Sequence, residues 1–471
     1  MIDLSDIKDA KRALHWFLEI SKIPRGSGNT APIAAFLENF AKARALEYIR
    51  DEYDNVIIKK PASAGLEDRP TVIIQGHSDI VAEKTAECKK DMEKEGVDVY
   101  RDGDFLRAEG TTLGGDDGVA LAYALAILED ENAVHPALEA VFTTDEETGL
   151  TGATGLDGKC LSGKILINLD SEEEGIFTAG CAGGVRADLS FPVRREVTSG
   201  KVYEIKVSGL LGGHSGVEID KGRQNAIKVL AEVLSALGSP KLIHIAGGTK
   251  DNAIAREARA LLSLKDEPSR DMINKIITKY SEAEPNIAVS VAEAVSDETP
   301  LTEQCSAAVT DAIRELPFGV IGMCEDIPSL PETSMNLGTA STEKDGVLVC
   351  CSLRSSKGSE KEKLLKRVED IAKAHGASVT VHGDYPGWEY KRDSHVRDVM
   401  CGIFEKTYGR APEVVTIHAG LECGILSDKI EGLDAISIGP DNFGIHTTEE
   451  HMSIPSFVRV FEFLLEVLKN I

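Results

Sequence analysis

The chain has 471 residues, 42% hydrophobic and 28% charged, so it can bury sizeable cores and is not a disordered polypeptide. Its 52 Lys and Arg against 78 Asp and Glu give a formal charge of −26, which opposes phosphate backbones and anionic lipid and excludes nucleic acid and membrane surfaces as partners. The length suggests about three domains, and no stretch approaches the ~18 continuous apolar residues of a membrane span. The N-terminus, MIDLSDIKDAKRALHWFLEI, mixes charges with apolar residues at helical spacing, unlike a signal peptide. Nine cysteines scatter from Cys88 to Cys423 without a CxxC pair. No disulfide framework or cysteine zinc site is expected, most cysteines should be small buried apolar residues, and a cytoplasmic location follows.

In chain order, residues 72–75 form a short apolar strand ending in GHSD, and 119–128 a helix of small residues after a Gly-rich turn. Residues 138–144 form a strand ending in DEETG, and 165–169 a strand ending in DSEEEG. Strands separated by helical patterns indicate an α/β fold with helices flanking a mixed sheet, in which functional residues gather just past strand ends. Residues 202–207 alternate as a half-exposed strand, followed by GLLGGHSG and a helix over about 223–237. Strands at 286–291 and 347–353 and a charged helix at 360–375 complete a separate α/β layer, read as two similar layers in tandem. After GDYPGW the chain returns to the first domain and closes with an amphipathic helix at 455–468. The expected organisation is a discontinuous domain, 1–186 and 386–471, interrupted by an inserted domain, 187–385.

The strand ends carry the chemistry. His77 and Asp79, two apart, face the same side of a strand. Either His77 binds a metal while Asp79 holds the other ring nitrogen, or the pair is a hydrogen-bonded His–Asp at a strand end. Adjacent Asp116 and Asp117 in a Gly-rich turn repel each other unless a cation neutralises them; one can instead cap the following helix. Glu146 and Glu147 diverge, so one can bind a metal and the other address a water, unless both belong to a solvated acidic turn. Asp170 is similar, and His446 lies in a Gly-rich loop before the last helix. Each signal is weak alone. Together they form a nitrogen and oxygen ligand set without cysteine, suited to zinc, manganese or cobalt. Two metals about 3.5–4 Å apart would need a bridging carboxylate, and a leftover carboxylate could serve as general base.

The motifs QGHSDIV, LGGDDGVA, DEETG, NLDSEE, GGHSG, CSLRSS, HAGLECG and GIHTTEE, in this order, resemble the di-zinc aminoacylase/carboxypeptidase superfamily, specifically its Xaa-His dipeptidase (aminoacyl-histidine dipeptidase, peptidase D) branch. The resemblance spans almost the whole chain, from SKIPRGSGNT to the last helix. It implies two Zn2+ per chain, with Mn2+ or Co2+ as alternatives. Asp116 would bridge both metals, His77 and Asp170 would complete one site, and Glu147 and His446 the other. Glu146 would be the catalytic base and Asp79 would orient His77. A cis peptide would join Asp116 to Asp117. The discontinuous domain would be catalytic and the inserted domain a lid. His214 would polarise the scissile carbonyl with help from Asn252, Arg354 would clamp a substrate carboxylate, and Glu422 and Gly424 would lie near the substrate. The lid is long enough for two lid-like halves, so His214 could act within one chain or across a homodimer, the expected assembly.

The implied function is hydrolysis of unblocked dipeptides, Xaa-His types including β-alanyl-histidine among them, by a di-zinc-bound hydroxide with a Glu base. A related di-zinc amidohydrolase, an acyl-amino-acid deacylase or tripeptidase, would use the same metals with a different pocket. A non-catalytic binding homologue is the remote alternative, disfavoured because every implied ligand and the base are present. His418 is left outside the catalytic set.

Overall fold

The computed structural model describes residue 7 and residues 10–471 apart from 239, 326 and 329; the first residues of the N-terminal reading therefore lie outside the described ones. The chain forms two compact units rather than the three that length suggests. Unit 1 comprises residues 1–180, 390–416 and 421–471, and unit 2 comprises 181–389 and 417–420.

Among its described residues, unit 1 holds an eight-stranded mixed sheet. Its centre is four parallel strands, in the order Leu138–Thr143, Val72–His77, Ile165–Asn168 and Asp434–Ser437. They are apolar and buried along nearly their whole length, as strands covered on both faces must be. The helix Gly115–Glu129 is buried on all sides. Its small residues let it lie close to Val72–His77, where Gly76 is obligatory: a Cβ there would stand 2.1 Å from Asp117 Oδ2 and 2.2 Å from Ala120 Cβ. The closing helix Ile454–Asn470 buries Phe457, Phe461 and Leu464, and Tyr123 packs on Phe457 and Phe461. A small four-stranded sheet joins Val99–Asp102 and Phe105–Ala108 to Asn442–Phe443 and His451–Ser453, tying the late loop to the first third of the chain.

Among its described residues, unit 2 is built on a nine-stranded antiparallel sheet. One half contains Ala288–Glu293, Lys201–Ser208, Ala258–Leu264 and Lys241–Gly247; the other contains Gly319–Met323, Pro331–Thr342, Gly346–Ser355, Gly183–Pro192 and Ser378–Tyr385. The halves join through a short register, Ala246 opposite Ser341 and Gly247 opposite Ala340. Helices Ala226–Ala236, Arg270–Tyr280, Glu303–Glu315 and Gly358–Ala374 pack their apolar stripes on the sheet.

The nine cysteines form no disulfide, but Cys181, Cys351 and Cys423 alone are fully buried, so the expectation of mostly buried thiols is corrected. No helix among the described residues is long and apolar enough to cross a membrane.

Candidate functional site

The carboxyl ends of the parallel strands in unit 1 open side by side, with His77 in register with Thr143 and Gln75 with Asn168. Chain leaving these ends supplies His77 and Asp79, then Asp145 to Glu147, then Asp170, and after Ser437 the loop that carries His446. Asp116 arrives from the turn opening the helix Gly115–Glu129. Asp116 and Asp117 have non-helical backbone angles and the peptide between them is cis. Asp117 Oδ1 accepts from the Ala120 amide at 3.2 Å, so this residue caps the helix and Asp116 is left to face His77 and His446.

Asp116 stands between two histidines. Its Oδ1 is 2.8 Å from His77 Nε2 and its Oδ2 is 3.0 Å from His446 Nε2. His77 Nε2 is also 3.6 Å from Asp170 Oδ1, and His446 Nε2 is 3.0 Å from Glu147 Oε2. Two groups that could hold a metal result, His77–Asp116–Asp170 and Asp116–Glu147–His446, with Asp116 common to both. A third, His77–Glu146–Glu147, brings the two consecutive glutamates to the same centre.

The electrostatics are those of crowded like charges. Burial pushes Asp170 up to about 6, with His77 opposing and Asp116 and Glu147 adding to the rise. Burial also drives Glu146 well above the usual carboxylate range, against the influence of His77 and with that of Asp170, Glu422 and Glu147. Asp116 is held well below its usual range; burial opposes this, but hydrogen bonds with His446 and His77 prevail. Burial works against the His77 cation, yet Asp170 and Asp116 hold its pKa well above normal. Hydrogen bonds with Asp116 and Glu147 raise His446 to about 10.

These residues fit divalent cations. The donors are imidazole nitrogens and carboxylate oxygens, Asp116 offers one oxygen to each group, and the buried Glu147 Oε1 has no hydrogen-bond partner among the described residues. Cations would favour the charged forms of Asp170 and Glu146 that burial and, to a lesser degree, the neighbouring carboxylates disfavour.

Asp79 is fully buried. His77 Nδ1 is 3.2 Å from its main-chain oxygen and 3.5 Å from its carboxylate. The carboxylate accepts from Ser27 Oγ at 2.8 Å and from the Glu146 amide at 3.2 Å, so it also anchors the residue carrying the expected base. Glu422, expected near substrate, is completely buried and interacts electrostatically with His77, Asp170 and Glu146. Its Oε2 accepts from Gln75 Nε2 and Thr143 Oγ1, and burial raises its pKa to about 7. Gly424 is buried in the first turn of the helix Glu422–Lys429.

Unit 2 carries the remaining expected residues. The two-residue strand Gly213–His214 pairs with Ala253–Ile254, which brings Asn252 beside the His214 loop; the Ser215 amide donates to the Asn252 carbonyl at 2.9 Å. His214 Nδ1 accepts from the amides of Gly216 and Val217 at 3.2 and 3.3 Å, which places the ring proton on Nε2. Burial, reinforced by the Arg354 charge, lowers its pKa, so His214 is a neutral Nε2–H donor. Arg354 is 8% exposed; its Nη1 donates to Tyr385 Oη at 3.3 Å, and its buried Nε has no partner among the described residues. His418 is buried beside it, with Nε2 2.6 Å from Ser334 Oγ; burial and Arg354 lower its pKa to about 4.

Sequence reading passed over Arg25, Glu284 and Glu450, all buried. Glu284 accepts from the amides of Leu211 and Gln224 at 2.7 and 2.8 Å, pinning both ends of the loop that holds His214. An isolated charged residue in a sequence is by default a surface residue. Nothing local distinguished these three, although Arg25 lies in SKIPRGSGNT and Glu450 in GIHTTEE.

A sequence profile of peptidase family M20/M25/M40 matches residues 73–470. The chain is 35% identical over 468 residues to the cytosol non-specific dipeptidase of Escherichia coli (strain K12), covering 97% of this chain and 96% of that protein. Among solved structures, the aminoacylhistidine dipeptidase of Vibrio alginolyticus superposes with a TM-score of 0.90 at 32% identity, over 98% of this chain and 96% of that one. Aminopeptidase PepT of Bacillus cereus shares the fold, with a TM-score of 0.62 at 17% identity over 98% of each chain.

Proposed function

The chain belongs to peptidase family M20/M25/M40, and from that premise we propose that it is a metal-dependent dipeptidase acting on unblocked dipeptides, Xaa-His types and β-alanyl-histidine among them. The observation that carries the reading is Asp116, whose two oxygens face two histidines from opposite ends of the chain. His77, Asp116 and Asp170 would hold one cation and Asp116, Glu147 and His446 the other, zinc being the first choice and manganese or cobalt alternatives. When bound, such cations supply Lewis acidity toward a carbonyl oxygen and make a water a better nucleophile at neutral pH.

The protein's own groups do the rest. Glu146 accepts a proton as the water oxygen bonds to the peptide carbonyl carbon. It returns that proton to the amine nitrogen as the C–N bond breaks. Asp79 holds the Glu146 amide and so fixes the origin of this side chain. In unit 2, His214 offers an Nε2–H to a developing oxyanion and Arg354 a buried guanidinium to a substrate carboxylate; Asn252 neighbours the first. We further propose a lid role for the inserted domain, a cytoplasmic enzyme, consistent with cysteines free of disulfides, and a homodimer, to be measured by light scattering.

The test is hydrolysis of a dipeptide panel by protein stripped with EDTA and reconstituted with Zn2+, Mn2+ or Co2+. Chelation should abolish turnover and metal restore it, with dipeptides preferred over acylated amino acids and tripeptides. Preference for acylated amino acids would replace the reading with a deacylase. Activity untouched by chelation would overturn it.

A further inference from the structure

The turn Leu113–Asp117, which carries Asp116, is held from two sides by buried charged side chains. On the amide side stands Glu450, 3% exposed. Its Oε2 accepts from the amides of Leu113 and Gly114, both at 2.8 Å. Its Oε1 accepts from the amides of Gly115 at 2.8 Å and Asp116 at 3.4 Å, and from Asn442 Nδ2 at 3.2 Å. On the carbonyl side stands Arg25, 2% exposed. Its Nη2 donates to the Gly114 carbonyl at 2.6 Å, and its Nη1 to the carbonyls of Ser78 and Asp79 at 3.0 and 3.2 Å. The glycines leave room for these partners: a Cβ on Gly114 would lie 2.9 Å from Arg25 Nη2, and one on Gly115 2.8 Å from Asn442 Nδ2, the group that donates to Glu450.

Burying a charge is costly unless hydrogen bonds replace its hydration, and here main-chain groups supply nearly all of them. The carboxylate gathers consecutive amides whose helical partners are missing, and the guanidinium ties the same turn to the end of the strand that carries His77. Glu450 is four residues beyond His446, so it also fixes the root of that loop. Segments bearing His77, Asp116 and His446 are thereby locked to one another through two buried side chains.

We propose that Arg25 and Glu450 are positioning residues that set the Leu113–Asp117 turn, so that Asp116 presents one oxygen to His77 and the other to His446. The proposal rests on the metal-binding reading of that cluster.

The test uses the full-length apoprotein titrated with Co2+, comparing wild type, Glu450→Gln, Arg25→Lys and, as a remote analogue, Glu139→Gln. Glu139 is an equally buried carboxylate that accepts from the amides of Ser162 and Gly163 at 3.0 Å, at the far end of the strand Leu138–Thr143. Glu450→Gln can accept through one oxygen where the carboxylate uses two. It should weaken cobalt binding about tenfold or more and change the visible cobalt band. Amide hydrogen exchange at Leu113 to Asp116 should accelerate, and kcat should fall with KM changed by no more than about threefold. Arg25→Lys, which keeps the charge and loses the fork, should act in the same direction and carries the test if Glu450→Gln does not fold. Glu139→Gln should keep the wild-type cobalt affinity and band. Wild-type cobalt behaviour in Glu450→Gln or Arg25→Lys, or an equal loss in Glu139→Gln, would overturn the proposal. Wild-type protein that takes up no cobalt would overturn the metal reading instead, and exchange at the four amides would still decide whether Glu450 sets the turn.

Discussion

Glu146 and Glu147 are consecutive carboxylates in different surroundings. Glu147 Oε2 faces His446, while Glu146 is anchored through its amide to Asp79 and burial drives its own pKa well up. The first placement suits a ligand and the second a proton carrier. Glu146→Ala is therefore expected to keep the wild-type metal content, measured by elemental analysis, while kcat falls by about 10²–10⁴-fold; full turnover would remove Glu146 from the mechanism. His446 supplies a pH prediction. Its pKa in the metal-free protein is about 10, raised from 6.5 by Asp116 and Glu147, so it is protonated at neutral pH. A metal takes the neutral ring. Uptake at any pH below about 10 must therefore expel that proton, and affinity rises with pH up to that point. Calorimetry in buffers of different ionisation enthalpy would count the protons released, to which His77, also held well above normal, contributes, and pH-independent affinity would contradict the assignment. The residue types of this cluster were legible because histidine and carboxylates just past apolar strands are a local pattern. The division of labour between Asp116 and Asp117 was not, since it depends on which oxygen the Ala120 amide takes.

Among the elements, the contact between the helix Gly115–Glu129 and the strand Val72–His77 is the most exacting. Gly76→Ala would force its new methyl against Asp117 and Ala120, displacing the helix start and with it Asp116. Overpacking of this kind costs about 1–3 kcal/mol. The expected outcome is a lower unfolding midpoint together with loss of metal binding, whereas a loss of stability alone would show that the helix start does not hold the cluster. In unit 2 the loop with His214 hangs from Glu284 at both ends. Glu284→Ala should reduce kcat with metal affinity unchanged, because the cluster lies in unit 1; weakened metal binding would argue against that separation of roles. The strongly patterned elements emerged from sequence nearly in place: 202–207 lies within Lys201–Ser208, 347–353 within Gly346–Ser355, and 455–468 within Ile454–Asn470. The strand expected from 286 begins at Ala288. The twelve-residue strand Pro331–Thr342 was not anticipated. Its sequence, PETSMNLGTAST, is mostly polar and lacks an apolar alternation, yet its first eight residues are buried; Thr333 Oγ1 lies 2.9 Å from Ser355 Oγ, Ser334 Oγ 2.6 Å from His418 Nε2, and Asn336 Nδ2 donates to the Ala253 carbonyl at 2.9 Å.

For the whole molecule, the charge of −26 sets a repulsive field for anionic substrates, so recognition of a substrate carboxylate must be local, which is the part proposed for Arg354. Added salt screens such a field, with a Debye length of about 10 Å at 0.1 M. KM for dipeptides with an acidic side chain should therefore fall as NaCl rises, while KM for neutral dipeptides changes little; equal salt dependence would mean that the field plays no part in binding. By itself the sequence determined the alternation of strands and helices and the stationing of histidine and carboxylates at strand ends, because periodicity and short motifs are local properties of a chain. The tertiary structure alone decided which oxygen of Asp116 meets which histidine, that Glu422 is buried against Gln75 and Thr143, and that Arg25 and Glu450 are interior. The physical reason is that a charge can be buried only where partners replace its water, and for Glu450 those partners lie up to 337 residues away along the chain.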